Sequence, residues 1–241
     1  MHIRSKLHNH LVLDWPAILA ARRKNARDPR LQEFYAAAGF TKHTPLKNLS
    51  FVALDFETTG LNPLQDDIVS IGLVPFNLER IYCSQAAHWF LQPGHPLSED
   101  SIVIHHITHS DIHGAPDLGS VLEKVLLALQ GKVVVVHHHL IEREFLDQAV
   151  NKRLGEGIRF PVVDTMAIEA TVQHRQNGGL LQRLRGRRPL SVRLPDSRLR
   201  YGLPPYQLHH ALTDALATAE LFQAQVAHHF SPDTPLASLW I

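Results

Sequence analysis

Apolar residues fall into short runs separated by turn-rich polar stretches, and the period of each run predicts its element. "LSFVALDF" (49–56) is apolar and rich in strand formers, "DIVSIGLVPF" (67–76) follows the turn-rich "TTGLNPLQD", and "RIYCSQAAHWFLQP" (80–93) is a third such segment. Their close spacing predicts antiparallel neighbours. "LGSVLEKVLLALQG" (118–131) changes to helical spacing and ends at Gly131. "KVVVV" (132–136) is a continuous β-branched run, which predicts a strand covered on both faces. "IEREFLDQAVNKRL" (141–154) reads as a helix. "FPVVDTMAIEATVQH" (160–174) reads as a short strand followed by a helix capped by Asp164 or Thr165, and "QLHHALTDALATAELFQAQVAHHF" (207–230) as a long final helix rich in Ala and Leu. The order β-β-β-α-β-α, then further helices, predicts one α/β domain with a mixed sheet.

The segment before these strands has a different pattern. "DWPAILAARRKNARDPRLQEFYAAAGF" (14–40) begins with Asp14 as a helix N-cap and Pro16 in the first turn, and Gly39 and "HTPLKN" end it. Residues 1–47 are therefore read as an N-terminal helical extension that packs on the domain or docks a protein partner. Residues 48–230 form the domain and 231–241 a C-terminal tail.

Composition narrows the classes. The chain has 241 residues, 44% hydrophobic and 20% charged, which is a soluble globular balance. A net charge of +1 names no partner. The single cysteine, Cys83, excludes an internal disulfide and a Cys-x-x-Cys zinc site and fits a cytoplasmic setting. No run approaches the roughly 18 apolar residues that suggest a membrane span. One block is strongly basic: "QRLRGRRPLSVRLPDSRLR" (182–200) carries seven arginines against Asp196. It reads as an exposed basic loop whose guanidinium groups suit phosphate oxygens.

The most informative chemistry lies in "VALDFETTG" (52–60). Asp55 and Glu57 are two apart on a strand and face one side. Two acids on an otherwise apolar strand repel each other unless a cation or hydrogen bonds compensate. Hard oxygen donors suit Mg²⁺ or Mn²⁺. Thr58, Thr59 and Gly60 turn the chain beside them. A further acid is expected from "HHALTDALATAE", where His209 on the loop entering the final helix would sit beside Asp214 one turn in. In "VVVVHHHLIEREFL" (133–146), three successive histidines on extended chain alternate faces and cannot together hold one ion.

"DFETTG", "VVVHHHLIEREFL" and "HHALTDALATAELF" arrive in the order of the three exonuclease motifs of the DEDD superfamily. The chain resembles the histidine-bearing (DEDDh) branch that includes the proofreading epsilon subunit of bacterial DNA polymerase III, over about residues 48–228. The resemblance implies a ribonuclease-H-like fold with a mixed five-stranded sheet flanked by helices. It also implies 3′→5′ exonuclease activity on single-stranded or frayed DNA ends, or RNA ends, two divalent ions and nucleoside 5′-monophosphate products. It places Asp55, Glu57, Glu142 and Asp214 on the metals and makes His209 the general base. The backbone from Thr58 through Thr59 and Gly60 to Leu61 would meet the terminal nucleotide, with Leu61 as an apolar wedge.

The second motif departs from the family. Glu142 stands where aspartate is expected, and His138 where asparagine is usual, as a candidate substrate contact. The histidine triplet would line the carboxylate site. His106, within "SIVIHHITHSDI", matches a segment lining the nucleotide pocket. The departures at Glu142 and His138 support one alternative, a catalytically impaired nucleic-acid-binding module; an oligoribonuclease acting on short RNA at the same site is the other.

Overall fold

The computed structural model describes the chain except residues 1–12, 96, 98, 100–101, 104–106, 178–189 and 208. Five strands form one sheet: β1 Phe51–Thr58, β2 Ile68–Phe76, β3 Ala87–Phe90, β4 Val133–Val136 and β5 Val162–Asp164. The order across the sheet is β3-β2-β1-β4-β5. β1 pairs antiparallel with β2, and β2 with β3, whereas β1–β4 and β4–β5 are parallel. This is the mixed sheet that the run lengths predict. β4, the four-valine run, is buried along its whole length, as expected for a strand between parallel neighbours.

The helices are α1 Trp15–Asn25, α2 Pro29–Ala36, α3 Leu118–Leu129, α4 His139–Leu154, α5 Thr165–Asn177, α6 Leu194–Arg200 and α7 Ala211–His229. A single helical turn at His109–Ile112 precedes α3. Small residues on α7 (Ala215, Ala219) and its Phe222 are fully buried, and the helix packs against β1 and β2. Phe222 meets Phe51 and Phe76 with ring centroids 5.2 and 6.0 Å apart, tying the helix to the middle of the sheet.

The closest approach lies at the other end of α7. Gly72 on β2 pairs with Asp55 on β1, and a Cβ on Gly72 would stand 2.2 Å from the carbonyl of Ala211. Only a glycine lets the first turn of α7 settle against the strand beside Asp55.

The helical preface is two helices. Asp14 caps α1 by accepting from the Ala17 N–H, and Asp28 with Pro29 begins α2. The turn between them is held by Glu156, which accepts from the backbone N–H groups of Arg27 and Asp28 at 3.0 and 2.6 Å. Trp15, Leu19, Leu31, Phe34 and Tyr35 are buried in the same apolar cluster as the sheet. Residues 231–241 also join it: Leu236, Leu239 and Trp240 are buried, and Ile241 exchanges backbone hydrogen bonds with Val162.

The basic block proves different from an exposed loop in its second half. Its residues 182–189 lie outside the described residues. From Leu194 the chain is helical, and Arg198 is buried. Arg198 donates to the carbonyls of Ala217 (2.7 Å) and Pro204 (2.9 Å) and to Glu220 (2.8 Å), with its guanidinium 4.6 Å from the Tyr206 ring centroid. Arg200 pairs with the buried Glu169 at 2.8 Å. These two arginines dock α6 onto α5 and α7, and the buried Arg198 is not available to phosphate. A planar fork with five donors can satisfy several internal acceptors at once, which is what makes this burial tolerable.

No helix among the described residues is long and apolar enough to cross a membrane.

Candidate active site

Four carboxylates converge where β1 ends. Asp55 and Glu57 lie on one side of β1, Glu142 lies in the first turn of α4, and Asp214 lies in the first turn of α7. Glu57, Glu142 and Asp214 are all buried, at 7%, 4% and 7% exposure, so this is an internal cluster of like charge. Burial pushes the Asp55 carboxyl well above the usual range, and the charges of Glu142, Asp214 and Glu57 push it further. Burial and the Asp214 charge lift Glu57 to about 8. Glu142 is raised well above its ordinary value by burial, with the Asp164 charge adding to it. Asp214 is raised by burial, opposed by hydrogen bonds from the backbone of His209 and His210.

Glu142 Oε2 and Asp214 Oδ1 are buried with no hydrogen-bond partner among the described residues. Unpartnered buried carboxylate oxygens are costly, and cations bound in the cluster would offset that cost. Glu57, His209 and Asp214 offer ligand atoms within 4.8 Å of one another. The donor set, mostly carboxylate oxygen, fits a hard divalent ion.

His209 enters by backbone geometry. Its φ is +64°, the left-handed region that side chains other than glycine rarely occupy. Its N–H donates to Asp214 Oδ2 at 2.8 Å. The exposed ring therefore stands at the mouth of the cluster, on the loop entering α7.

A family model described as exonuclease, RNase_T, matches residues 52–222, a span that takes in all four acids and His209. The chain belongs to this exonuclease family. Among relatives, the DNA polymerase III PolC-type protein of Thermotoga petrophila is 31% identical over 73% of this chain, which spans only 12% of that much longer protein. The DNA polymerase III subunit epsilon of Treponema pallidum is 30% identical over 76% of this chain and 79% of its own length. Among solved structures, the nuclease domain of 3′hExo, a DEDDh family member bound to rAMP, has a TM-score of 0.58 at 17% identity, covering 74% of this chain and 92% of that one. The fold is that of a DEDDh exonuclease, and exonucleases of this family use divalent metal ions.

In this family member the turn after β1 is tied by side-chain hydrogen bonds. Thr58 donates its hydroxyl to the Gly60 carbonyl at 2.6 Å, and Thr59 Oγ1 accepts from the Asp67 N–H at 3.0 Å. Asp66 accepts from the Asn62 N–H at 2.8 Å and lies where a Cβ on Gly60 would fall. Leu61 at the tip is 81% exposed, an apolar side chain projecting into solvent next to the acids.

Glu142 faces the site, whereas Glu144 is drawn away to Arg159 at 2.5 and 3.0 Å. His138 precedes α4 with φ +149° and is half-buried. The other two histidines do not line the carboxylates. His137 is held by Thr165 Oγ1 at 2.7 Å and the Val192 carbonyl at 3.1 Å, and burial lowers its pKa to about 4. His139 engages Asp164 through both its N–H (3.0 Å) and its ring (2.7 Å). His137 and His139 therefore join β4 to β5, α5 and the chain before α6. His106 lies outside the described residues.

Two contributors were not singled out from the sequence. Gly72 carried a weak signal, a lone glycine inside an apolar strand, which often marks a close backbone approach. Asp164 was read as a helix cap, and it does accept from Met166 and Ala167, but its second oxygen also fixes His139 at the start of α4.

Proposed function

We propose that the chain is a metal-dependent 3′→5′ exonuclease that releases nucleoside 5′-monophosphates from single-stranded or frayed DNA ends. The observation that carries this reading is the cluster of Asp55, Glu57, Glu142 and Asp214, with two buried carboxylate oxygens unpartnered among the described residues and His209 at its mouth. Asp55, Glu57, Glu142 and Asp214 would hold two Mg²⁺ or Mn²⁺ ions. When bound, such ions neutralise the scissile phosphate and acidify the attacking water. His209 would accept the proton from that water, a transfer suited to an imidazole near neutral pH.

Polarity would come from the turn after β1. Its backbone, fixed by Thr58, Thr59, Asp66 and Asp67, would meet the terminal nucleotide and its 3′-hydroxyl. Leu61 would wedge between bases and hold the end frayed, and His138 at the start of α4 would contact the strand. Stacking of this kind tolerates any sequence. DNA is favoured because the relatives are named as DNA polymerase III components. The rAMP in the 3′hExo structure keeps short RNA as the second reading.

The test is product identification. DNA and RNA oligomers of several lengths, incubated with Mg²⁺ or Mn²⁺, should yield nucleoside 5′-monophosphates, with DNA processed at every length. Preference for very short RNA would favour the oligoribonuclease reading, and binding without cleavage the impaired module.

A further inference from the structure

The catalytic mouth described above depends on a strained residue. His209 has a positive φ, and its neighbour His210 caps α7 through a long 3.4 Å contact from the Thr213 N–H. Neither feature alone fixes where the His209 ring points. The side chain of the next residue, His210, packs against the edge of the sheet.

His88 on β3 stands beside Gly72, which stands beside Asp55 on β1. Directly paired residues of antiparallel strands face the same side, so His88 shares the face on which Asp55 lies and α7 begins. Its ring lies 4.8 Å from that of His210 at a 37° tilt, and 4.7 Å from Phe90 edge-on. His88 Nε2 shares a 2.7 Å hydrogen bond with Ser70 Oγ. Ser70 is buried at 1% exposure, and its pairing partner on β1 is Glu57. A polar and aromatic brace thus runs from the strand position beside Glu57, through Ser70 and His88, to the residue that follows His209. Burial, with the His210 ring adding, pushes the His88 imidazole below its ordinary pKa, which favours the uncharged ring against His210.

We propose that His88, anchored by Ser70 and packed against His210, is a positioning residue that holds His209 in its left-handed conformation over the carboxylates. The proposal rests on His209 acting as proton acceptor. His88 itself touches neither metal nor substrate. The Gly72 backbone meets Ala211 directly, and the His88 ring adds a side-chain contact to His210 just before the helix. A displacement of about 1 Å at a reacting group can cost about a hundredfold in rate, so removing this support should show mainly in turnover.

The experiment compares wild type, His88→Ala, His88→Phe and Ser70→Ala in the full chain. The readouts are kcat and KM on a single-stranded DNA oligomer, Mn²⁺ affinity by calorimetry, melting temperature and the NMR signals of the His209 ring. His88→Ala should lower kcat about tenfold to a hundredfold, with KM and Mn²⁺ affinity within about twofold of wild type. The His209 ring signals should shift or broaden. His88→Phe keeps a flat ring against His210 and should restore most of the turnover and the wild-type ring signals. Ser70→Ala, which removes only the hydroxyl, should give the same split at smaller size, and it keeps the test open if His88→Ala does not fold. Unchanged kcat and unchanged His209 signals in His88→Ala would overturn the proposal. So would a loss of turnover that tracks a loss of Mn²⁺ affinity and is equally large in His88→Phe. If the wild-type chain cuts nothing, the exonuclease reading fails, but the His209 signals still judge the brace.

Discussion

Gly72 and Ala211 approach so closely that a Cβ on Gly72 would lie 2.2 Å from the Ala211 carbonyl carbon and oxygen. Because Gly72 pairs with Asp55 and Ala211 opens the helix that carries Asp214, this contact sets the spacing between the first-motif and third-motif acids. Gly72→Ala should therefore push α7 outward. Overpacking of this kind costs about 1–3 kcal/mol, and a shift of about 1 Å in Asp214 should lower kcat by up to about a hundredfold. Melting curves and single-turnover cleavage with Mn²⁺ check this, and wild-type rates in Gly72→Ala would show that the strand and helix can separate without moving the acids.

The raised carboxyls make stability depend on pH in a direction that metal should reverse. Glu57 sits at about 8 against an ordinary 4.5, so between those values the folded chain holds more protons than the unfolded chain. Stability is then fully present at acid pH and falls as pH rises through that window, by up to about 1.4 kcal/mol per pH unit for each such group. Metal-free protein should melt progressively lower from pH 5 to 8, and Mg²⁺ or Mn²⁺ should raise the melting temperature far more at pH 8 than at pH 5. Asp55→Asn removes one of the repelling charges and should flatten the metal-free decline. A metal-induced gain that is equal at both pH values would contradict this account of the cluster.

Glu142 is fully committed to the site, with one oxygen unpartnered among the described residues. Glu142→Gln keeps the volume and removes the charge, and should cut turnover by about a hundredfold while raising metal-free stability at pH 8. Glu142→Asp keeps the charge but draws it back by roughly one C–C bond, about 1.5 Å. It should retain activity, most clearly with Mn²⁺. Complete loss in Glu142→Asp under both metals would mean that the surrounding site is built for the longer acid.

Arg198 should behave as a structural residue although it lies in the most basic block of the chain. Arg198→Ala removes a buried donor from two carbonyls and from Glu220, which keeps its bond from Tyr206, and should cost about 1–3 kcal/mol. The salt dependence of oligonucleotide binding should not change, because a phosphate contact would reduce the slope by nearly one ion. Chemical denaturation and binding titrations at several salt concentrations separate the two roles.

Much of the site was legible because its signals are local. Asp55 and Glu57 share a face by strand alternation, and the five-residue step from His209 to Asp214 works only if the histidine lies before the helix, as it does. The motif register places Glu142, not Glu144, as the second-motif acid. Arg159, fifteen residues beyond Glu144, removes that acid from the site. His137 and His139 engage partners no local pattern announces: Asp164, Thr165 and Val192 are brought in by β5 and the chain before α6. Arginines in sequence look solvated, so the burial of Arg198 depended on acceptors contributed by α7 and Pro204. The Ser70–His88–His210 contacts likewise exist only once β2, β3 and α7 have been assembled.

The most direct test of the central claim, that these four acids form the working centre of a 3′→5′ exonuclease, is degradation of a 5′-labelled single-stranded DNA oligomer with Mn²⁺, beside an RNA lane and an Asp55→Asn control. A ladder shortening from the 3′ end that disappears in Asp55→Asn is the predicted result. Cleavage that persists unchanged in Asp55→Asn, or binding of both polymers with no cleavage by the wild-type chain, would contradict it.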